Sequence, residues 1–255
     1  MKYDLRGKAV VLTGASRGIG RAVALRLAEE GARMGLVARD EAKLKDVVAL
    51  VKAKGGEATA IACDVTKDDS VNQMVSRAVE LLGGIDVFMN IAGITLEKSI
   101  EDAEPEDYRR VFETNLFGTV RCARAALPHL KKSRGVLVNI ASVIVHAPFP
   151  RLGVYAASKW AVAAVSHTLR QELHGTGVRV LIIYPTVVKT DMVDEEPVLA
   201  KTPSQSPEEC AKEIVNAIKK GKLESGTAYL PKFLSAVFAI RPAWADIINR
   251  FFLPK

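Results

Sequence analysis

The chain has 255 residues, 49% of them apolar, with a mean hydropathy of +0.12 and a formal charge of +7. That is enough apolar material for a full core, which excludes a disordered chain, and no apolar run approaches the ~20 residues of a membrane-spanning helix. Cys63, Cys122 and Cys210 are far apart, odd in number and without a Cys-x-x-Cys pair, so no disulfide framework and no metal centre is expected, and the cytoplasm is the expected compartment.

From Met1 to Arg6 there is no apolar signal core, and the chain enters a strand within Lys8 to Leu12. The turn Thr13-Gly14-Ala15-Ser16-Arg17-Gly18-Ile19-Gly20 follows, and Ile19, Val23 and Leu27 then repeat at helical spacing. A strand, a glycine turn and a helix in succession aim unpaired backbone N–H groups at an anion. Arg33 to Ala38 reads as the second strand and Glu41 to Lys54 as a helix stopped at Gly55-Gly56. Ala58 to Ala62 reads as the third strand, Lys67 to Leu82 as a helix, and Ile85 to Met89 as a strand apolar enough to be covered on both faces. One long helical tract is expected from Tyr108 to Leu127. Gly135 to Ala141 is the fifth strand, Val154 to Leu173 a helix and Val178 to Tyr184 the sixth strand.

This rhythm means βαβ units: an α/β fold with a parallel sheet and right-handed crossovers that place helices on both faces. No linker or repeat interrupts it, so residues 1–255 are read as a single domain. Ligands of such sheets sit beyond the C-terminal strand ends. Polar and glycine-rich sequence clusters there: Cys63-Asp64-Val65, Asn90-Ile91-Ala92-Gly93, Ser142, and Pro185-Thr186-Val187-Val188-Lys189-Thr190. The helix after Ser142 carries Tyr155 and Lys159, four apart and therefore on one face. Alone, each has a bland reading: a Tyr and Lys on a helix surface, a Ser capping a helix, an Asn bonding locally.

Together, the motifs Thr13-Gly14-x-x-x-Gly18-Ile19-Gly20, Asn90-x-Ala92-Gly93, Thr114-Asn115-Leu116, Ser142 and Tyr155-x-x-x-Lys159 resemble the short-chain dehydrogenase/reductases over Gly7 to Thr190. The resemblance implies a Rossmann-type three-layer αβα sandwich on a central, mostly seven-stranded parallel sheet. It implies an oxidoreductase that interconverts a secondary alcohol and a ketone, or reduces an aldehyde. Tyr155 is then the general acid/base, Ser142 the group that holds the substrate oxygen, and Asn115 a helix-kinking residue in a proton relay. Lys159 would hydrogen-bond the nicotinamide ribose, and its ammonium is expected to lower the Tyr155 pKa by roughly 1–3 units.

The same resemblance assigns cofactor contacts to Gly14, Ser16, Arg17, Gly18, Ile19 and Gly20 at the pyrophosphate, and to Asp64 and Val65 at the adenine. Asn90, Ala92 and Gly93 form an adjoining loop, and Tyr155, Lys159, Pro185, Val188 and Thr190 lie at the nicotinamide end. Ala38 stands where an NAD-type member has an Asp. Arg39 and Arg17 would flank a 2′-phosphate, so NADP is expected over NAD, with Asp40 serving as an N-cap.

The chain departs from the family pattern at Pro185-Thr186, where Pro-Gly is usual, at Ile91, and beyond Gly226. There an apolar tail, 231–255, presents Trp244, Ile247, Ile248, Phe251 and Phe252 at helical spacing after Pro242. It is expected to pack on the cleft or a partner subunit, with membrane-surface contact through Lys232, Arg241, Arg250 and Lys255 as the alternative. A homodimer or homotetramer is expected, and no nucleic-acid partner. Residues 187–225 are read as a substrate lid whose Met192, Val193, Val198 and Leu199, with Pro148, Phe149 and Leu152, imply a partly apolar substrate. Two other readings stand beside this one: a 3-oxoacyl-carrier-protein or CoA reductase, which the basic charge allows and the unusual C-terminus disfavours, and an NADP-sensing binding protein without turnover.

Overall fold

A computed structural model describes residues 3–146, 149–194, 196–200 and 202–226. Seven parallel strands form one sheet: β1 (Ala9–Thr13), β2 (Arg33–Ala38), β3 (Glu57–Ala62), β4 (Val87–Asn90), β5 (Val136–Ile140), β6 (Arg179–Tyr184) and β7 (Glu224–Gly226). Their order is β3-β2-β1-β4-β5-β6-β7. Burial follows from that order. Every residue of β1, β4 and β5 is buried, whereas in edge strand β3 only Ala58 and Ile61 are.

Successive strand side chains point to opposite faces, and each face has its own core. Val10, Leu12, Val87, Met89, Val136 and Val138 pack with α1 (Gly18–Glu29), α2 (Glu41–Ala53) and α9 (Pro207–Lys219). Ala9, Val11, Phe88 and Leu137 pack on the other face with α3 (Asp68–Leu82) and α5 (Gly118–Ser133). α6 (Gly153–Glu172) completes that second layer beside β5 and β6. The result is the three-layer α/β sandwich expected from the sequence.

Two expected boundaries change. The single tract from Tyr108 to Leu127 is three pieces: α4 (Pro105–Phe112), a π-helical turn (Glu113–Phe117) and α5. Pro105 and a reciprocal capping box between Glu104 and Asp107 start α4 early. At the other end α5 runs through Pro128 to Ser133, because Leu130 is anchored in the core and Ser133 Oγ donates to Ile85 O at 2.7 Å. The expected lid holds short helices α7 (Asp191–Asp194) and α8 (Pro197–Ala200), and the bridge Val188↔Gln205 joins the segments on either side of them, while α9 and β7, which the expected range 187–225 also includes, belong to the core and the sheet. Pro148 and the tail 231–255 lie outside the described residues. Among the described residues, no helix is long and apolar enough to cross a membrane and no group of side chains could hold a metal ion.

The strand order reverses between β1 and β4, which opens a crevice at their C-terminal ends. Thr13 laces that crevice: Oγ1 accepts from Ile91 N (3.1 Å) and Ala92 N (3.2 Å) and donates to Met89 O (3.4 Å). Thr13→Val keeps the shape but orphans two amides, so unfolding stability in urea is expected to drop by roughly 1–3 kcal/mol. An unchanged denaturation midpoint would show that these bonds contribute nothing.

Candidate active site

The crevice is a cleft of about 390 Å³. Its floor is the turn between β1 and α1, and the backbone there leaves no room for a side chain at Gly14 or Gly20. Gly14 has φ +69, and a Cβ on it would lie 2.8 Å from Ala92 N. A Cβ on Gly20 would lie 2.1 Å from Gly14 O. α1 begins after extended Arg17 with no side-chain cap, so its first-turn amides face the cleft wall formed by Ser16, Gly18 and Ile19.

One end of the cleft is basic. Arg17, Arg39 and Lys43 line it together with Ala38. Asp40 is the N-cap of α2, accepting from Lys43 N at 3.1 Å, while Lys43 Nζ lies 3.7 Å from the same carboxylate. Lys43 escaped the sequence reading; its signal is that it follows a capping Asp by three residues, which sets it in the first turn of α2 beside the two arginines. Arg17 Nη1 also reaches Asp191 Oδ2 of α7 at 3.5 Å.

Asp64 and Val65 form the adjoining wall. Burial is the largest influence on the Asp64 carboxyl and raises its pKa. Two hydrogen bonds from Thr66, at 3.0 and 2.8 Å, and the charges of Arg39 and Lys67 outweigh it, so the net shift is downward. Ala92, Gly93 and Thr190 also line the cleft. Asn90 behaves differently: its side chain turns into the protein, donating to Asn139 Oδ1 at 2.9 Å and Thr119 O at 3.4 Å.

A second, mainly apolar pocket of about 100 Å³ adjoins the cleft, and Ile19, Thr190 and Met192 line both. Tyr155, Ser142, Pro185 and Val188 line it, with Phe149, Leu152, Val193 and Leu199 as apolar wall. Thr95 Oγ1, also on this wall, is buried without a hydrogen-bond partner. No local pattern marks Thr95, which becomes notable only through what surrounds it.

Tyr155, Lys159, Ser142 and Asn115 converge at the junction of the two spaces. Ser142 caps the short 3₁₀ turn Val143–Val145, accepting from Ile144 N at 3.3 Å, and lines the apolar pocket together with Tyr155. Lys159 Nζ donates to Ile140 O at 2.9 Å and lies 5.7 Å from the centre of the Tyr155 ring. A Cβ on Gly93 would lie 3.5 Å from Lys159 Nζ and 3.1 Å from Asn115 Oδ1. Asn115 sits within the π turn, where Nδ2 donates to Ile94 O and Ser158 Oγ, both at 2.9 Å, and Oδ1 accepts from Ile94 N at 2.8 Å.

The expected lowering of the Tyr155 pKa does not occur. Burial pushes the phenol up to about 12, with the neighbouring Ser142 side chain opposing it, and burial pushes Lys159 down to about 8. Removing each charged form from water is the largest influence on both groups.

Residues 8–198 match the family described as short chain dehydrogenase. This chain is a short-chain dehydrogenase/reductase. The family reading rests on the bulk of the sequence as well as on its motifs. A fatty acyl-CoA reductase of Acinetobacter baylyi is 34% identical over 97% of this chain and 84% of its own. The ketoacyl reductase HetN of a Nostoc species is 35% identical over 97% of this chain and 90% of its own. In three dimensions this dehydrogenase/reductase superposes on an alcohol dehydrogenase of Thermococcus sibiricus complexed with 5-hydroxy-NADP. The TM-score is 0.79 at 29% identity, over 88% of this chain and 97% of that one. Short-chain dehydrogenase/reductases are oxidoreductases that use nicotinamide cofactors and small-molecule substrates, and this chain is one of them.

Proposed function

We propose that the chain is an NADP(H)-dependent oxidoreductase that interconverts a secondary alcohol and a ketone, with Tyr155 as general acid/base. One observation carries the reading: Tyr155 and Ser142 together line an apolar pocket that shares a wall with the glycine-floored cleft. The cleft fits a dinucleotide chemically. Its floor lacks Cβ atoms at the points of closest approach, an uncapped helix end faces it, and its far end is cationic.

A nicotinamide supplies hydride when bound. The protein's own residues do the rest. Ser142 holds the substrate oxygen through its hydroxyl, and Tyr155 delivers a proton to that oxygen in reduction or removes it in oxidation. Lys159 is steered by Ile140 O, and Asn115 pins Ile94 beside it. The apolar walls exclude water from the reacting pair. The part of residues 187–225 that carries α7 and α8 serves as the lid of this single domain, whereas α9 belongs to the core and β7 to the sheet.

Arg17, Arg39 and Lys43 support NADP over NAD, since three cations suit a 2′-phosphate and Ala38 offers no acid to a ribose hydroxyl. Ala38→Asp would place a carboxylate among them. The NADP/NAD ratio of kcat/KM is expected to fall by about 10- to 100-fold, because like charges at one site cost several kcal/mol. An unchanged ratio would move the phosphate elsewhere.

A second reading, an acyl-thioester or ketoacyl reductase, gains from the names of two relatives and from Thr95, a hydroxyl that could bind a second substrate oxygen. The unusual C-terminus no longer speaks against it, because both alignments span 97% of this chain. Following NADPH oxidation against ketones, aldehydes and 3-oxoacyl thioesters tests both. Turnover of simple ketones supports the first, preference for thioesters the second. Tight NADPH binding without any turnover would overturn both in favour of a sensor.

A further inference from the structure

Among the described residues, eight polar or charged residues are buried: Thr13, Asn90, Asn115, Thr119, Asn139, Ser158, Lys159 and Ser166. Apart from Thr13 and Lys159, all of them belong to one web of hydrogen bonds. The web starts at the π turn, where Asn115 O accepts from Thr119 Oγ1 at 2.7 Å. Thr119 O accepts from Asn90 Nδ2 on β4, and Asn90 Nδ2 also donates to Asn139 Oδ1 on β5. Asn139 Nδ2 then donates to Ser166 Oγ on α6 at 2.8 Å, and Ser166 Oγ donates to Val162 O at 2.6 Å. A second limb returns along α6, from Tyr155 O through Ser158 Oγ to Asn115 Nδ2. The π turn, α5, β4, β5 and α6 are thereby joined into a loop that the α6 backbone closes.

Such a web is costly unless fully satisfied. Ser166 and Asn139, 0% and 1% exposed, would be served as well by apolar residues if packing were their only task. Their placement has a geometric consequence. Lys159 and Ser166 are seven residues apart, two turns or about 10.5 Å along one helix face, and they bond to adjacent β5 residues, Ile140 and Asn139. A helix held at two points cannot slide along the strand. We infer that the Asn139–Ser166 bond is a positioning clamp: it sets the axial register of α6 on β5, and so the placement of Tyr155 and Lys159 against Ser142, which follows β5. In this account Asn90 is a link in the clamp through its side chain, whereas the resemblance had made it a cofactor contact.

The clamp rests on the oxidoreductase reading for its catalytic consequence, so its test has a readout that needs no turnover. Misplacement of a catalytic pair by a remote change can cost up to about 100-fold. For Ser166→Ala, kcat with NADPH at a temperature well below melting is expected to fall about tenfold, with the KM for NADPH within about twofold. Asn139→Leu should do the same. The double variant should be no worse than the poorer single, because both changes break one bond. In parallel, amine acylation at pH 8 mapped by mass spectrometry is expected to label Lys159 several-fold faster in either variant than in the wild type. Unchanged kcat and unchanged Lys159 labelling would overturn the clamp, as would a rise in the KM for NADPH that matches the loss in kcat, or losses that multiply in the double variant. An inactive wild type whose Lys159 labelling still responds to Ser166→Ala would sink the oxidoreductase reading and leave the clamp standing.

Discussion

Replacing Tyr155 by phenylalanine is expected to lower kcat for carbonyl reduction by about 10²- to 10⁴-fold, the usual contribution of a positioned acid, with NADPH affinity nearly unchanged. The side chain lines the apolar pocket, not the glycine-floored cleft, so its hydroxyl can be lost without disturbing the phosphate turn. The pH dependence has a definite sign. Because burial holds the phenol near 12, Tyr155 keeps its proton throughout the ordinary range and is ready to donate it. Reduction is therefore level at neutral pH and declines above about 8, where Lys159 loses its charge. Alcohol oxidation needs phenolate and should accelerate as pH rises. Initial rates in both directions across pH would test this, and a phenylalanine variant that keeps more than a tenth of wild-type kcat would remove Tyr155 from the chemistry.

Gly20→Ala is expected to abolish nucleotide binding, lowering NADPH affinity by at least about 100-fold, because the first turn of α1 would have to move. A Cβ there would approach Gly14 O to 2.1 Å and Ala15 Cα to 3.0 Å, both backbone atoms without a rotamer to escape into. Gly83→Ala is the control. That glycine caps α3 at φ +76 with nothing within 4 Å of a Cβ, so alanine there should cost about 1 kcal/mol of stability and leave binding alone. Titrating NADPH fluorescence into both proteins, with circular dichroism to report folding, separates a collapsed turn from general destabilisation. Gly20→Ala protein that binds within tenfold of wild type would show that the turn can relax.

Local signals explain what could be foreseen. β2 spans Arg33–Ala38 as its apolar run indicates, and Asp40 caps the helix it precedes. The order of the strand-end motifs was legible because each is a contiguous stretch whose residue types encode a turn. The side-chain partners were not. Asn90 bonds Asn139 across 49 positions, and Asn139 bonds Ser166 across 27. Nothing in either neighbourhood of the chain announces the other.

Composition, periodicity and glycine placement are properties of short segments, and from them the α/β rhythm, the parallel sheet and the family resemblance all follow. Burial is a property of the assembled layers. It reversed the expected direction for Tyr155, turned Asn90 inward, brought Lys43 beside the two arginines and left Thr95 Oγ1 without a partner at an apolar wall. The physical reason is the same in each case: the free energy of a charge or a polar group depends on the water and partners around it, and those are decided only when strands and helices distant in sequence come together.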